Sequence, residues 1–143
     1  PFDDDGVKMP LVRIDMQAGR DAAQVQRIAD AIHNAIVEQY GIPERDRFQV
    51  INQLPAGGII AEDAGLGFER TDGVVMIQIF TQRGRTQNAK QLLYQAIASK
   101  LACAGVVPEN VFIGYVENGP EDWSFGFGQA QYLTGELAIP AKA

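Results

Sequence analysis

Gly41-Ile42-Pro43-Glu44 and Gly105-Val106-Val107-Pro108-Glu109 are the two stretches on which the fold turns. Their glycines stand 64 residues apart and their prolines 65, so one stop signal occurs twice at one spacing. A glycine just past a helix takes the left-handed conformation that ends it, and a proline soon after prevents it from resuming. Upstream of the first stop, Val25, Ile28, Ala29, Ile32, Ala35 and Ile36 recur at three- and four-residue steps, which is one buried helical face. Asp21 opens that helix as N-cap, with Gln24 in the place of a capping-box partner. Upstream of the second stop, Leu92, Leu93, Ala96, Ile97 and Leu101 make the matching face behind Thr86, a second N-cap.

Each helix is preceded and followed by a strand. Residues 11–16 alternate Val12, Ile14 and Met16 with Arg13 and Asp15, and residues 74–80 form a β-branched apolar run. Residues 47–53, with Phe48, Val50 and Ile51, and residues 111–116 follow the two stops. The chain thus reads as a tandem duplication of β-α-β units, long enough for right-handed crossovers between parallel strands. The expected fold is α/β: two helices packed on one face of a mainly four-stranded sheet. Its 143 residues suit one domain, 10–143, whose halves are 10–72 and 73–143.

Two helices cover one face of such a sheet and leave the other open. Strands as apolar as 74–80 make self-association the simplest cover for it. Between the halves, residues 54–73 are rich in glycine, with 59–61 as a short hairpin strand. Residues 118–137 are glycine-rich and aromatic, as suits a pocket or interface segment.

Eighteen acidic residues against twelve basic give a net charge of -6, which disfavours nucleic acid or an anionic membrane as partner. No apolar run approaches the roughly 20 residues that span a bilayer, and no signal peptide opens the chain, so a cytoplasmic location is expected. One cysteine and one histidine exclude an internal disulfide and are too few for a zinc site. His33 reads as a partly exposed helix residue and Cys103 as a packed thiol. Gly65-Leu66-Gly67 and Gly126-Phe127-Gly128 read as turns, since each lacks the third glycine of a dinucleotide loop.

Arg83-Gly84-Arg85 stands where a buried strand hands over to a helix, the usual place of a ligand in α/β units. Two guanidiniums there suit a carboxylate; the competing reading is a solvated basic turn. Asp46 is held ionised between Arg45 and Arg47, at a site or in a surface charge cluster. Trp123, Phe125 and Tyr132 crowd one short stretch as core, interface or pocket wall. Met9-Pro10 is the remaining candidate. Once an initiator methionine is removed, proline presents a secondary amine able to act as base, acid or nucleophile near neutral pH, whereas an internal proline is an amide and does none of this.

Taken together, Pro10-Leu-Val-Arg-Ile-Asp15, Asp46-Arg-Phe-Gln49, Glu62-Asp-Ala-Gly-Leu-Gly-Phe68, Arg83-Gly-Arg85 and Asp122-Trp-Ser-Phe-Gly126 resemble the tautomerase superfamily, and within it the malonate semialdehyde decarboxylase family. The resemblance runs from Pro10 to about Leu137. It implies duplicated β-α-β units assembled as a homotrimer, a small 3-oxo or 2-oxo carboxylic acid as substrate, and neither metal nor organic cofactor. It implies Pro10 as catalytic amine, Asp46 as its assistant, Arg83 and Arg85 as the carboxylate pair, and Trp123, Phe125, Tyr132 and Leu137 as an apolar wall. Tyr132 stands where the family commonly has phenylalanine. The activity implied is decarboxylation of malonate semialdehyde. Keto-enol tautomerisation and hydration or dehalogenation of 3-substituted acrylates, with Glu121 or Asp122 activating water, are the alternatives within the superfamily. A non-catalytic trimeric carboxylate-binding relative is the alternative outside enzymology.

Residues 1–9 precede that proline. They read as an expression remnant or a misassigned upstream start, with Met9 the true start. If they are native, Pro10 is an amide, and Pro1 replaces its amine or the amine chemistry is lost.

Overall fold

The computed structural model describes residues 10–137; the expectations for residues 1–9 and for the last stretch of the 10–143 domain lie outside them. The first unit is β1 (Leu11–Gln17), α1 (Ala22–Tyr40) and β2 (Phe48–Leu54). The second is β3 (Val75–Gln82), α2 (Gln87–Cys103) and β4 (Val111–Asn118). The caps lie where the sequence pattern puts them. Asp21 accepts from the Gln24 amide while Gln24 returns the bond to the Asp21 N–H. Thr86 Oγ1 accepts from the Ala89 amide at 3.0 Å. Gly41, at φ 66°, ends α1 with its N–H on the Val37 carbonyl.

Within each unit the strands are parallel, and the units join through antiparallel β1 and β3, giving the order β2-β1-β3-β4. This mixed sheet with two main helices is the expected α/β arrangement. Val12, Ile14 and Met16 of β1 and Val75, Ile77 and Ile79 of β3 point at the helices and are buried. They meet Ile28, Ile32 and Ile36 of α1 and Leu93, Ile97 and Leu101 of α2 in one core. At roughly 1.5–3 kcal/mol for each large aliphatic side chain, this layer is the main attraction holding the halves together.

The opposite face carries no helix. Its middle is polar, with Arg13 and Asp15 3.6 Å apart and Gln78 exposed between the outer strands. Its flanks are apolar: Phe48 and Val50 on β2, Phe112 and Val116 on β4, all exposed. Four expectations fail. Leu92, which the periodicity puts on the buried face of α2, is exposed beside the Leu93, Ile97 and Leu101 stripe. Residues 59–61 form no strand. His33 is buried, because its Nε2 finds the Glu44 carbonyl at 2.9 Å in the turn after α1. Cys103 is exposed, because it sits on the last turn of α2, past the buried stripe. Among the described residues no helix is long and apolar enough to cross a membrane.

Candidate active site

Pro10 is buried at the head of β1. The register pairs Leu11 with Phe48 on one side and with Phe80 on the other. Extended by one step, it sets Pro10 between Arg47 and Thr81. Asp46 is therefore one residue from Pro10's neighbour on one side, and Gln82 is one residue from its neighbour on the other. Thr81 and Gln82 are both buried, which is unusual for polar side chains ending a strand.

Residues 119–137 return over this end of the sheet. Asn118 is the hinge: its carbonyl accepts from the Arg83 amide at 2.7 Å and its Oδ1 from Trp123 Nε1 at 2.9 Å. Phe125 lies edge-on to Phe48 and to Tyr132, with ring centroids 6.2 and 5.4 Å away, and Trp123 lies 6.5 Å off. Gln131 staples the return, accepting from the Phe125 amide at 2.8 Å and donating to the Gly126 carbonyl at 2.9 Å. Leu137 closes the segment with its N–H on the Gln131 carbonyl, its side chain more exposed than the three aromatics of the expected wall.

Tyr132 is buried, and burial is the first cause that pushes its hydroxyl up to about 12. The charge of nearby Asp46 adds to the rise, and the Gln82 amide beside the hydroxyl opposes it. Tyr132 is therefore a neutral hydrogen-bonding group at ordinary pH. The Gln82 amide nitrogen is inaccessible to solvent and completes no hydrogen bond of normal geometry. A buried donor left this way costs about 1–3 kcal/mol, a cost that a substrate oxygen would relieve.

The two arginines diverge. Arg83 is exposed, with its Nη1 lying against the backbone of Gly119. Arg85 is half-buried; its Nη2 donates to the Tyr40 carbonyl at 3.0 Å, and its guanidinium lies 4.3 Å from the centre of the Tyr40 ring. Burial lowers its pKa from the ordinary guanidinium range. The Tyr40 hydroxyl in turn meets that of Tyr115 at 3.0 Å. Thus Pro10, Asp46, Gln82, Phe125 and Tyr132 gather at one end of the sheet, with Arg83 at the rim and Arg85 turned to the end of α1. Sequence reasoning passed over Gln82 and Thr81. The available signal was two polar residues continuing the apolar run of β3 directly before Arg83. Asp122 is occupied as acceptor of the Gly119 N–H at 2.9 Å, and Glu121 is exposed. Among the described residues no three His, Cys, Asp or Glu side chains converge as metal ligands.

Residues 46–126 and residues 10–69 match two families each described as tautomerase enzymes. The chain belongs to the tautomerase family. Among its relatives, the probable tautomerase YrdN of Bacillus subtilis (strain 168) is 39% identical over 130 residues, 90% of this chain and 100% of that protein. A crystal structure of malonate semialdehyde decarboxylase inhibited by 3-bromopropiolate is similar at 55% identity and a TM-score of 0.88, covering 91% of this chain and 99% of that one. A fused 4-OT solved as a symmetric trimer shares the fold of this tautomerase-family chain at 17% identity and a TM-score of 0.72, over 87% of this chain and 98% of that one.

Proposed function

We propose that this tautomerase-family protein is a cofactor-independent decarboxylase that converts malonate semialdehyde (3-oxopropanoate) to acetaldehyde and carbon dioxide, working as a homotrimer. The observation that carries the reading is the set of Asp46, Gln82 and Tyr132 around the head of β1, in a chain 55% identical to a malonate semialdehyde decarboxylase.

A 3-oxo acid loses carbon dioxide when its carbonyl accepts the electron pair of the breaking carbon–carbon bond. The pair moves into an enolate, and the methylene carbon then takes a proton to give acetaldehyde. Pro10, as a free secondary amine, donates a hydrogen bond to the carbonyl oxygen in its cationic form, or in its neutral form adds to the carbonyl carbon and expels water to give an iminium that water hydrolyses after carbon dioxide has left. Asp46 stabilises that cation. Gln82 and neutral Tyr132 are buried donors that hold the substrate's oxygens without reorganising during the reaction. Arg83 at the rim and Arg85 supply positive field for the carboxylate. Trp123, Phe125 and Leu137 form the apolar wall past which neutral carbon dioxide leaves.

The test is release of carbon dioxide and acetaldehyde from malonate semialdehyde by a chain whose first residue is Pro10, beside one that carries residues 1–9. Turnover by the first and its loss in Pro10→Ala is the expected result. No turnover by either overturns the reading. Isomerisation of a 2-oxo acid enol instead would move the assignment to a keto-enol tautomerase, the reading that the 39% identity to a probable tautomerase favours. In that case the proline acts as a neutral base.

A further inference from the structure

Asp46 stands in a turn that is fastened to α1 on both sides of it. His33, the one histidine of the chain, is buried on α1, and its Nε2 donates to the Glu44 carbonyl at 2.9 Å. A buried imidazole needs such a partner, and here the partner belongs to the turn rather than to the helix. One helical turn earlier, Asp30 accepts from Arg47 Nη2 at 2.7 Å. The Ala29 carbonyl accepts from Gln49 Nε2 at 2.9 Å, and Ile42 is buried in the core. Residues 42, 44, 47 and 49 are thus tied down. Asp46 lies among them with its own N–H on the Pro43 carbonyl at 3.0 Å. Its carboxylate is near enough to the Tyr132 hydroxyl for its charge to act there.

The second half is fastened differently. His33 lies twelve residues after the N-cap Asp21; twelve residues after Thr86, α2 has Ala98, whose side chain has nothing to donate. The turn after α2 is held through Asn110 on Thr71 instead, away from the helix. The histidine therefore belongs to the half whose turn carries Asp46. We infer that His33 is a positioning residue for the proposed reaction: from α1 it holds residues 44–47, with Asp30 as a second anchor, so that the Asp46 carboxylate stays at the Pro10 end of the sheet. The buried His33 bond is the main anchor, because the Asp30–Arg47 pair is partly exposed and such pairs contribute little. The inference rests on the role given to Asp46 in the proposed function and adds the group that keeps it in place.

The test makes each variant in the full chain and in the chain that begins at Pro10. His33→Leu removes the donor and keeps the place filled, whereas His33→Gln keeps a donor there. In the full chain, the Asp46 amide of His33→Leu is expected to exchange about 10-fold faster while β1 and β3 stay protected. His33→Gln is expected to keep most of the parent's protection, and Asp30→Ala to show the smaller change. In the chain that begins at Pro10, nitrogen NMR reads the amine directly. Asp46→Asn is expected to lower the amine pKa by about 1. His33→Leu should lower it by part of that, and should lower it no further once Asp46→Asn is present. Turnover of malonate semialdehyde should fall about 10-fold in His33→Leu with KM held. An amine that titrates alike in His33→Leu and parent, or one that His33→Leu moves equally with Asp46 already neutral, overturns the inference. An amine that Asp46→Asn leaves unmoved removes the role of Asp46 and this inference with it. Exchange and titration need no substrate, so they decide the matter whether or not the chain is a decarboxylase.

Discussion

The two ends of the sheet are built from equivalent pieces and differ in how their polar groups are paired. The registers pair Leu11 with Phe48 and Val75 with Val111, so Val74 answers to Pro10, and Glu109-Asn110 to Asp46-Arg47. The residues just before the two N-caps, Arg20 and Arg85, answer to each other. At the second end the polar groups satisfy one another. Arg20 Nη2 donates to the Gly73 carbonyl at 2.7 Å, and Asn110 accepts from the Thr71 amide at 3.0 Å and donates to Thr71 Oγ1 at 2.8 Å. At the first end, proline replaces valine at the strand head, and a buried amide is left short of a partner. Duplication supplied two places for a site. One has been closed with internal hydrogen bonds, and at the other the Gln82 amide lies beside the Tyr132 hydroxyl without completing a bond of normal geometry.

Substitutions can break this contrast. The largest effect is expected at the strand heads: Pro10→Ala should lower turnover by about 10²- to 10⁴-fold, while Val74→Ala should lower stability and leave turnover alone. Steady-state rates and thermal melts on both would show it. Equal rate losses would mean that the two ends are not functionally distinct.

Next come the amides. Gln82→Met removes a buried donor that pairs poorly, so its melting temperature should hold or rise while turnover falls by about 10²-fold. Asn110→Leu strands the Thr71 amide and should cost about 1–3 kcal/mol of stability with turnover kept. A Gln82 variant that melts early would make that residue structural instead.

The arginines sharpen the picture further. Arg20→Met should cost about 1 kcal/mol of stability alone. Arg85→Met should cost a similar amount through the lost Tyr40 carbonyl bond and should also raise KM if its field reaches the carboxylate; an unchanged KM would confine Arg85 to holding the end of α1.

The smallest expected effect concerns His33. Burial lowers its pKa below the ordinary 6.5, and the Glu44 carbonyl only partly offsets this. A histidine kept neutral by the fold contributes stability that is present above about 6.5 and is lost as pH falls below it. Melting temperature should therefore decline from pH 7 to 5, and less so in His33→Gln.

Most of the scaffold was readable in advance, because caps, stops and apolar periods are local. Asp21, Gln24, Gly41 and Thr86 do in space what their spacing predicts. His33, Cys103 and Gln82 escaped for a different reason. The environment of each depends on chain remote from its own helix or strand, or on where a helix ends against the sheet. A backbone carbonyl beyond a turn buries His33, and the returning segment beside Gln82 is set by tertiary packing. In the candidate site, the proline, aspartate and aromatics that the structure brings to one end of the sheet were singled out in the sequence. The turning of Arg85 toward Tyr40 was not, since its partner is a carbonyl 45 residues away.

The antiparallel seam between β1 and β3 has one more consequence. Everything that joins the halves covalently is the stretch between Leu54 and Val75, which contains no helix or strand, whereas the seam and the α1–α2 packing join them physically. The connection acts as a tether that raises the effective concentration of one half near the other. A chain cut within that stretch would then become two fragments with a shared core, able to find each other in solution as separate molecules.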